Sequence, residues 1–415
     1  MKISILALLA FAAGAAFCAP GTPVVTSVSE VNGDGCVTVT YTLPGEEAAI
    51  VTMSATAGGV VREPVTLVGA VNSLVQPGTD LKICWNARAD MPNALYAAND
   101  LDVTLTAWST STPPDYMGVS LLCPQCVRYY ASSNAVPGGV GDRRWKEDWM
   151  LLRRIPAKGV EWRMGCTVND YCWNTGEWAN YGWTQTHYVT STADFYIGVY
   201  EVTQGQYRYL ANGATPSAIG QNSFANLPNA PHRTLHETDW QWHPVEHVKW
   251  TMASNAVAQL ATSSGLPFDL PTEEQWEFAA RGETQWGTYN GSPHNPTHIK
   301  PIGVCVQVAW GYYADIRDGA SWYSGLNVSG THPNTYDCIP VGLLRPNKYG
   351  LYDMIGNARE WCSGWYDEAK ALRPIRGGSV HMSGEGHGAG CRFGLGENAV
   401  DGPGFCGFRV ACAIP

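Results

Sequence analysis

Charge is scarce in this chain of 415 residues. Lys, Arg, Asp and Glu make up 15% of it, against about 25% in an ordinary soluble domain. Bases are scarcer than acids, 26 against 36, and the net charge is -10. A nucleic-acid binder needs a basic face to neutralise phosphates, and a polybasic membrane anchor needs a basic cluster, so both are excluded. Beyond the first residues there is no apolar run of about 18 or more, so no transmembrane segment is expected. Also missing are a G-x-S-x-G elbow, a phosphate-binding loop and an H-E-x-x-H pair. Acids are plentiful, but no two can be placed across a sugar from sequence alone.

What is abundant is aromatic and flexible: 17 Trp, 20 Tyr and 45 Gly. A chain this apolar can bury a core, which excludes general disorder. Met1-Lys2 followed by the apolar run Ile3 to Ala13 and the small residues Gly14-Ala15-Ala16 reads as a secretory signal peptide over residues 1–19. The expected location is secreted, periplasmic or cell-surface. Cys18 would suit a lipid anchor, but Phe17 stands where such sites want a small residue. Removing Lys2 and no acid takes the net charge from -10 to -11.

Twelve of the 13 Cys follow the leader, and in an oxidising compartment disulfides are expected before metal thiolates. Proximity suggests Cys36 with Cys84, Cys166 with Cys172 and Cys305 with Cys338. Cys123 pairs with Cys126, or one of them with a later Cys. Cys362, Cys391, Cys406 and Cys412 then pair among themselves. Cys123-Pro124-Gln125-Cys126 has the spacing of a redox motif, but no thioredoxin-like βαβ pattern surrounds it, so a structural link is preferred.

Residues 22–122 read as an all-β sandwich of immunoglobulin or fibronectin type. Asn32-Gly33-Asp34-Gly35 is a hairpin turn signal. Cys36 to Thr42 then alternates strictly, and further strands are expected at Ala49 to Ala55, Val60 to Val68 and Leu101 to Ala107. Nothing in this part carries chemistry. Pro113-Pro114 marks a joint, and residues 123–150 read as a linker. Residues 151–415 alternate short strands, aromatic loops and three helices with clear starts. Thr203-Gln204-Gly205-Gln206 is a capping box with Gly213 as the stop. Thr251 opens a second helix, with Ala253, Val257, Leu260 and Ala261 on one face. Thr272-Glu273-Glu274-Gln275 opens the third.

Several blocks in this second part, in order, resemble the formylglycine-generating enzyme (sulfatase-modifying factor) family. They are Phe195 to Thr203, Pro244 to Trp250, Leu270 to Gly282, Tyr349 to Trp361, Arg376-Gly377-Gly378-Ser379 and Gly407-Phe408-Arg409-Val410. The resemblance covers residues 151–413. It implies a loop-rich α+β fold related to C-type lectins, so the fold class expected for the whole chain is mixed: a β-sandwich, then this domain.

The resemblance also implies metals. The positions matching Asp353, Gly356, Ala358 and Glu360 bind a structural calcium in the family. Calcium takes six to eight oxygens, which a folded loop supplies from carboxylates and carbonyls. The plainer alternative is that Glu360 caps a turn or pairs with an Arg. A second calcium maps to Asp315 and Ile316. Active relatives carry two cysteines, three and eight residues beyond the motif's Ser, that bind Cu(I). Here Ser379 is kept as the catalytic candidate, and the two thiols are replaced by Met382 and His387. Arg359 stands where active relatives place a Trp. His381, Met382 and His387 could ligate copper as imidazole and thioether, or belong to an incidental Gly-rich loop. His243 and His247 begin an H-x-x-x-H-x-E iron motif of associated domains, but Lys249 replaces its Glu. Trp310, Tyr312, Tyr313, Trp322 and Tyr323 are the aromatics suited to stacking on sugars, and Asn327-Val328-Ser329 is a glycosylation sequon.

Three functions are therefore weighed. The first is a peptide or glycan binder on a calcium-stabilised scaffold, with a groove at His381, Met382, His387, Arg359, Trp322 and Tyr323. The second is an oxidase acting on a sulfatase cysteine through a rearranged metal site. The third is a structural module.

Overall fold

The computed structural model describes residues 19–31, 35–57, 59–92, 101–165, 186–214, 216–217, 240–282, 338, 340–343, 346–379, 392–398 and 406–414. The chain divides into two units, residues 1–109 and 110–415. The expected division, a sandwich to residue 122 and a linker over 123–150, is corrected here. Residues 116–155 are not a connection; they supply three strands to the main sheet of the second unit.

The first unit holds β1 (Val24–Val31), β2 (Cys36–Leu43), β3 (Ala49–Ala57), β4 (Val60–Arg62), β5 (Leu67–Gly69), β6 (Ser73–Val75), β7 (Gly78–Asn86) and β8 (Leu101–Trp108). One sheet runs β1-β2-β7-β5; in the other β3 pairs with β8 and with β4 and β6. The alternation of β2 appears as strict alternation of burial, with Val37, Val39, Tyr41 and Leu43 inside. These pack with Val51, Met53, Ile83, Trp85 and Leu105 into one core drawn from both sheets. The strand expected over Val60 to Val68 is two strands instead: β4 pairs with β3, and β5 crosses to β7. The Cys36–Cys84 bridge is not formed. The register sets Cys36 opposite Asn86 and Cys84 opposite Thr38, so the two are offset, and Cys84 is an exposed thiol.

The second unit contains β9 (Tyr116–Ser120), β10 (Val127–Tyr130), β11 (Trp149–Ile155), β12 (Glu161–Met164), β13 (His187–Thr190), β14 (Phe195–Gly198), α1 (Gln204–Leu210), α2 (Trp250–Ser264), β15 (Phe268–Asp269), α3 (Glu273–Arg281), β16 (Arg359–Trp361), β17 (Arg373–Arg376), β18 (Phe393–Leu395), β19 (Cys406–Gly407) and β20 (Ala411–Ala413). An antiparallel sheet runs β10-β9-β11-β14-β20-β15, and a second sheet runs β18-β17-β16-β19. β9 and β14 are buried along their whole length, because the main sheet is covered on both faces. Tyr196 enters one apolar cluster and its neighbour Ile197 another. A strand buried on both faces shows no alternation, which is why 116–120 does not read as a strand by periodicity.

The helices start as expected. Thr203 and Thr272 each form a complete capping box, with Gln206 and Gln275. α2 begins one residue early, at Trp250, and ends at Gly265 in the left-handed conformation. The structure bonds Cys123 to Cys126. Cys362, Cys406 and Cys412 are separate buried thiols, so the expected pairing among them is not formed; Cys391 lies outside the described residues, as do Cys166, Cys172 and Cys305. No helix among the described residues is long and apolar enough to cross a membrane.

Candidate functional site

The Tyr349 to Trp361 segment folds into a turn that leads into β16. Asp353, Gly356 and Asn357 all have positive φ. This turn is held by its neighbours: Gly356 N–H donates to the Gly377 carbonyl at 2.8 Å. Gly377 has φ +88°, and a Cβ there would meet the Met354 carbonyl and the Trp276 ring, each at 3.3 Å. Only glycine fits this crossing of β17 over the turn.

Three buried carboxylates surround the turn. Glu201, just past β14, accepts from the Ala358 N–H at 2.9 Å and the Asn357 amide at 2.7 Å. Asp353 accepts from the Gly342 N–H at 2.6 Å. Glu360 accepts from Arg409 at 2.6 and 2.7 Å and from the Trp276 indole at 2.7 Å. The Arg409–Glu360 pair is fully buried. Burial, then the charges of Asp353 and Glu360, hold the Glu201 carboxyl well above the usual carboxylate range. Burial also lowers Lys146, and the nearby Asp353 works against that shift. Lys146 stands 5.0 Å from the Tyr200 ring.

A second polar system runs along α3. Arg392 bonds Glu273 at 2.8 Å, Arg376 bonds both Glu273 and Glu277 at 2.9 Å, and Arg281 bonds Glu277 at 2.8 Å. This alternating chain leads from the end of α3 to β17, two residues before the Gly378-Ser379 step. Arg373 lies between the rings of Trp250 and Trp365, at 3.6 and 3.3 Å.

The expected residues divide as follows. Asp353, Gly356, Ala358 and Glu360 are brought together in one turn and strand. Glu360, however, already serves Arg409 and Trp276, which is the ion-pair alternative. Arg359 is on β16 opposite Cys406 and faces the Phe393 ring at 5.9 Å, with its pKa lowered by burial. Ser379 is buried. His381, Met382, His387, Asp315, Ile316, Trp310, Tyr312, Tyr313, Trp322 and Tyr323 lie outside the described residues, as does the sequon at Asn327. Lys249 takes the N-cap position of α2, and the His247 imidazole meets the Glu246 carboxylate. Among the described residues no three His, Cys, Asp or Glu side chains form a group that could hold a metal.

Three buried thiols of this unit are hard to ionise. Burial raises Cys362 well above its ordinary value, Cys406 to about 11 and Cys412 to about 12. A thiol is a poor nucleophile and metal ligand until it ionises.

Sequence reasoning missed Glu201 and Arg409 in the first of these systems and the Glu273–Arg376–Glu277–Arg281 chain in the second. The available signal was a single charge inside an apolar stretch, as in Tyr200-Glu201-Val202 and Phe408-Arg409-Val410.

Comparison with known proteins places these features in context. The family model described as the sulfatase-modifying factor enzyme 1-like domain matches residues 177–414. A chaperone protein LppX of Paenibacillus barcinonensis is 30% identical over 198 residues, covering 42% of this chain and 63% of its own. The formylglycine-generating enzyme of Bos taurus is 36% identical over 141 residues, covering 34% and 31%. The inactive C-alpha-formylglycine-generating enzyme 2 of Mus musculus is 32% identical over 142 residues, covering 33% and 37%. The chain thus spans less than two thirds of the length of each of these relatives.

Proposed function

The chain belongs to the sulfatase-modifying factor enzyme 1-like family, and on that premise we propose that it is a divergent, non-catalytic member that binds a peptide or glycan. The observation that carries this reading is the loss of the thiol pair. On the family resemblance, Met382 and His387 stand where active relatives have cysteines. Among the described thiols of this unit, Cys362, Cys406 and Cys412 are buried with raised pKa values, and Cys338 is buried with its thiol donating to the Asn357 carbonyl at 3.4 Å. Soft Cu(I) prefers a thiolate pair. The existence of a relative named as inactive in the same family supports a retained scaffold without the chemistry.

The ligand contacts assigned in this reading are Arg359, on β16, together with His381, Met382, His387, Trp322 and Tyr323, which lie outside the described residues. A mixture of a cation, imidazoles and aromatic faces suits a polar ligand with apolar patches. The first, β-sandwich unit acts as a spacer on a secreted or surface-exposed protein.

Calcium at the Asp353 turn belongs to this proposal. Its support is charge: burial, then the nearby carboxylates of Asp353 and Glu360, raise the Glu201 pKa. Asp353 and the carbonyls of Gly356 and Ala358 would hold the ion, with Glu360 largely committed to Arg409. The ion would supply positive charge and rigidity to the turn.

The test has two arms. The folded chain is screened on peptide and glycan arrays, alone and as Trp322→Ala, and oxygen uptake is followed with Cu(I) and a cysteine-containing sulfatase peptide. Saturable binding weakened at least tenfold by Trp322→Ala, with no copper-dependent oxygen uptake, is expected. Copper-dependent uptake with conversion of the peptide cysteine overturns the proposal in favour of an oxidase. Calcium is tested separately by thermal melting with chelator and with added calcium; an unchanged Tm removes the ion from the proposal and leaves the binding reading standing.

A further inference from the structure

The Cys123–Cys126 disulfide is the one feature of the second unit's described sulfur chemistry that faces outward. It sits in the turn between β9 and β10, and β10 is the outer strand of the six-stranded sheet. Both cysteines are half-buried, Gln125 is exposed, and Leu122 beside them is 67% exposed. Cys362, Cys406 and Cys412 are by contrast buried.

The bond adds little to the fold. A disulfide stabilises chiefly by closing a loop in the unfolded chain, and its effect grows with loop length. Here the separation is three residues, and the turn is already closed without sulfur. Cys126 N–H donates to the Cys123 carbonyl at 2.7 Å, Val127 N–H to the Gln125 carbonyl at 3.0 Å, and Cys123 N–H to the Ser120 hydroxyl at 3.3 Å. Leu121 N–H is held by the Asp148 carbonyl at 2.7 Å, and four cross-strand pairs from Val119–Val127 to Tyr116–Tyr130 fix the hairpin. A covalent link that is redundant for the fold and open to collision has the two properties that thiol–disulfide exchange requires, tolerance of opening and access.

We propose that Cys123–Cys126 is an exchange site for a protein dithiol. One partner thiolate attacks a sulfur of the bond, the other cysteine leaves as a thiolate and is protonated, and a mixed disulfide forms. The partner's second thiolate then attacks that mixed disulfide and releases the remaining cysteine. The partner ends as a disulfide, and two electrons and two protons reside on Cys123 and Cys126. The exposed Leu122 offers an apolar contact next to the reacting sulfurs. This inference does not depend on what the groove near Ser379 binds.

Dithiothreitol serves as the test dithiol. The native chain is treated at neutral pH, quenched by alkylation at timed points, and the Cys123–Cys126 peptide is quantified by mass spectrometry. Reduction in the folded state is expected at a rate constant within tenfold of that for oxidised glutathione under the same conditions. The reduced protein is expected to melt within about 1 °C of the oxidised one, since about 1 kcal/mol moves the Tm of a unit this large by only about 2 °C. A rate more than tenfold slower overturns the proposal, as does a larger fall in Tm, since either identifies a protected or structural staple. The double variant Cys123→Ser/Cys126→Ser repeats the stability comparison without any reductant.

Discussion

The two units reach a buried core by opposite means. Among the described residues, the first unit buries only two polar side chains, Thr52 and Asn72, and no charge. The second buries Glu201, Glu246, Glu277, Asp353, Glu360, Arg281, Arg376 and Arg409. The first is specified by alternation: outward Thr residues and inward Val, Tyr and Leu along β2 leave one register that hides the apolar face. The second has short strands and long irregular segments, with too little periodicity to choose one packing. Its arrangement is pinned by charged groups whose partners lie far away in the chain, Arg409 with Glu360 and Arg376 with Glu277. Buried polar groups are costly unless matched, so a matched set admits few alternatives.

The sharpest way to break this contrast is Arg409→Met. The substitution leaves the Glu360 carboxylate buried without its cation, a change that costs about 3–5 kcal/mol. Denaturant unfolding should show a loss of that size. Hydrogen exchange should place it in the second unit, with peptides of 24–108 unaffected. Pairing it with Glu360→Leu should recover much of the loss, because the stranded charge is then gone. A loss below about 1 kcal/mol for Arg409→Met would show that water reaches Glu360.

This contrast also explains what could be read from the sequence. The strands at 36–43 and 101–108 were legible because one face of each is wet, and 49–57, whose first five residues are all buried, through its run of β-forming residues. β9 was not, since its five buried residues carry no period and Gly118 interrupts the β-forming run. The helix starts at Thr203 and Thr272 were legible because a capping box is a local hydrogen-bond exchange written in four residues. The Cys36–Cys84 pairing failed because a place on neighbouring strands says nothing of a two-residue register offset. At the candidate site, Asp353, Gly356, Ala358 and Glu360 were found through the motif they form. That Glu360 is committed to Arg409 was not, because a partner 49 positions away leaves no local trace.

A second perturbation, smaller in size, probes the first unit. Val39 is fully buried in the middle of β2. Val39→Ala removes two methyl groups and leaves a cavity, for a loss of about 2 kcal/mol. Exchange protection should fall in the first unit alone. An equal fall in the second unit would mean that the two units unfold together, and the comparison drawn above would lose its basis.

The smallest effect at neutral pH is the most specific in sign. In the folded chain Glu201 has its pKa raised, by burial first and then by Asp353 and Glu360. A group whose folded pKa exceeds its unfolded value contributes stability that is complete below the unfolded pKa. That contribution is lost as pH rises through the folded one. Glu201→Gln cannot ionise, yet its carbonyl can still accept from the Ala358 N–H. The difference in Tm, variant minus wild type, should therefore move upward from pH 5 to pH 8, measured with chelator present so that metal occupancy stays constant. Below the unfolded pKa the variant gains nothing and carries only the altered bond to Asn357. A difference that stays flat or moves downward would mean that Glu201 ionises freely in the fold, and that the three carboxylates around the turn are screened from one another rather than coupled.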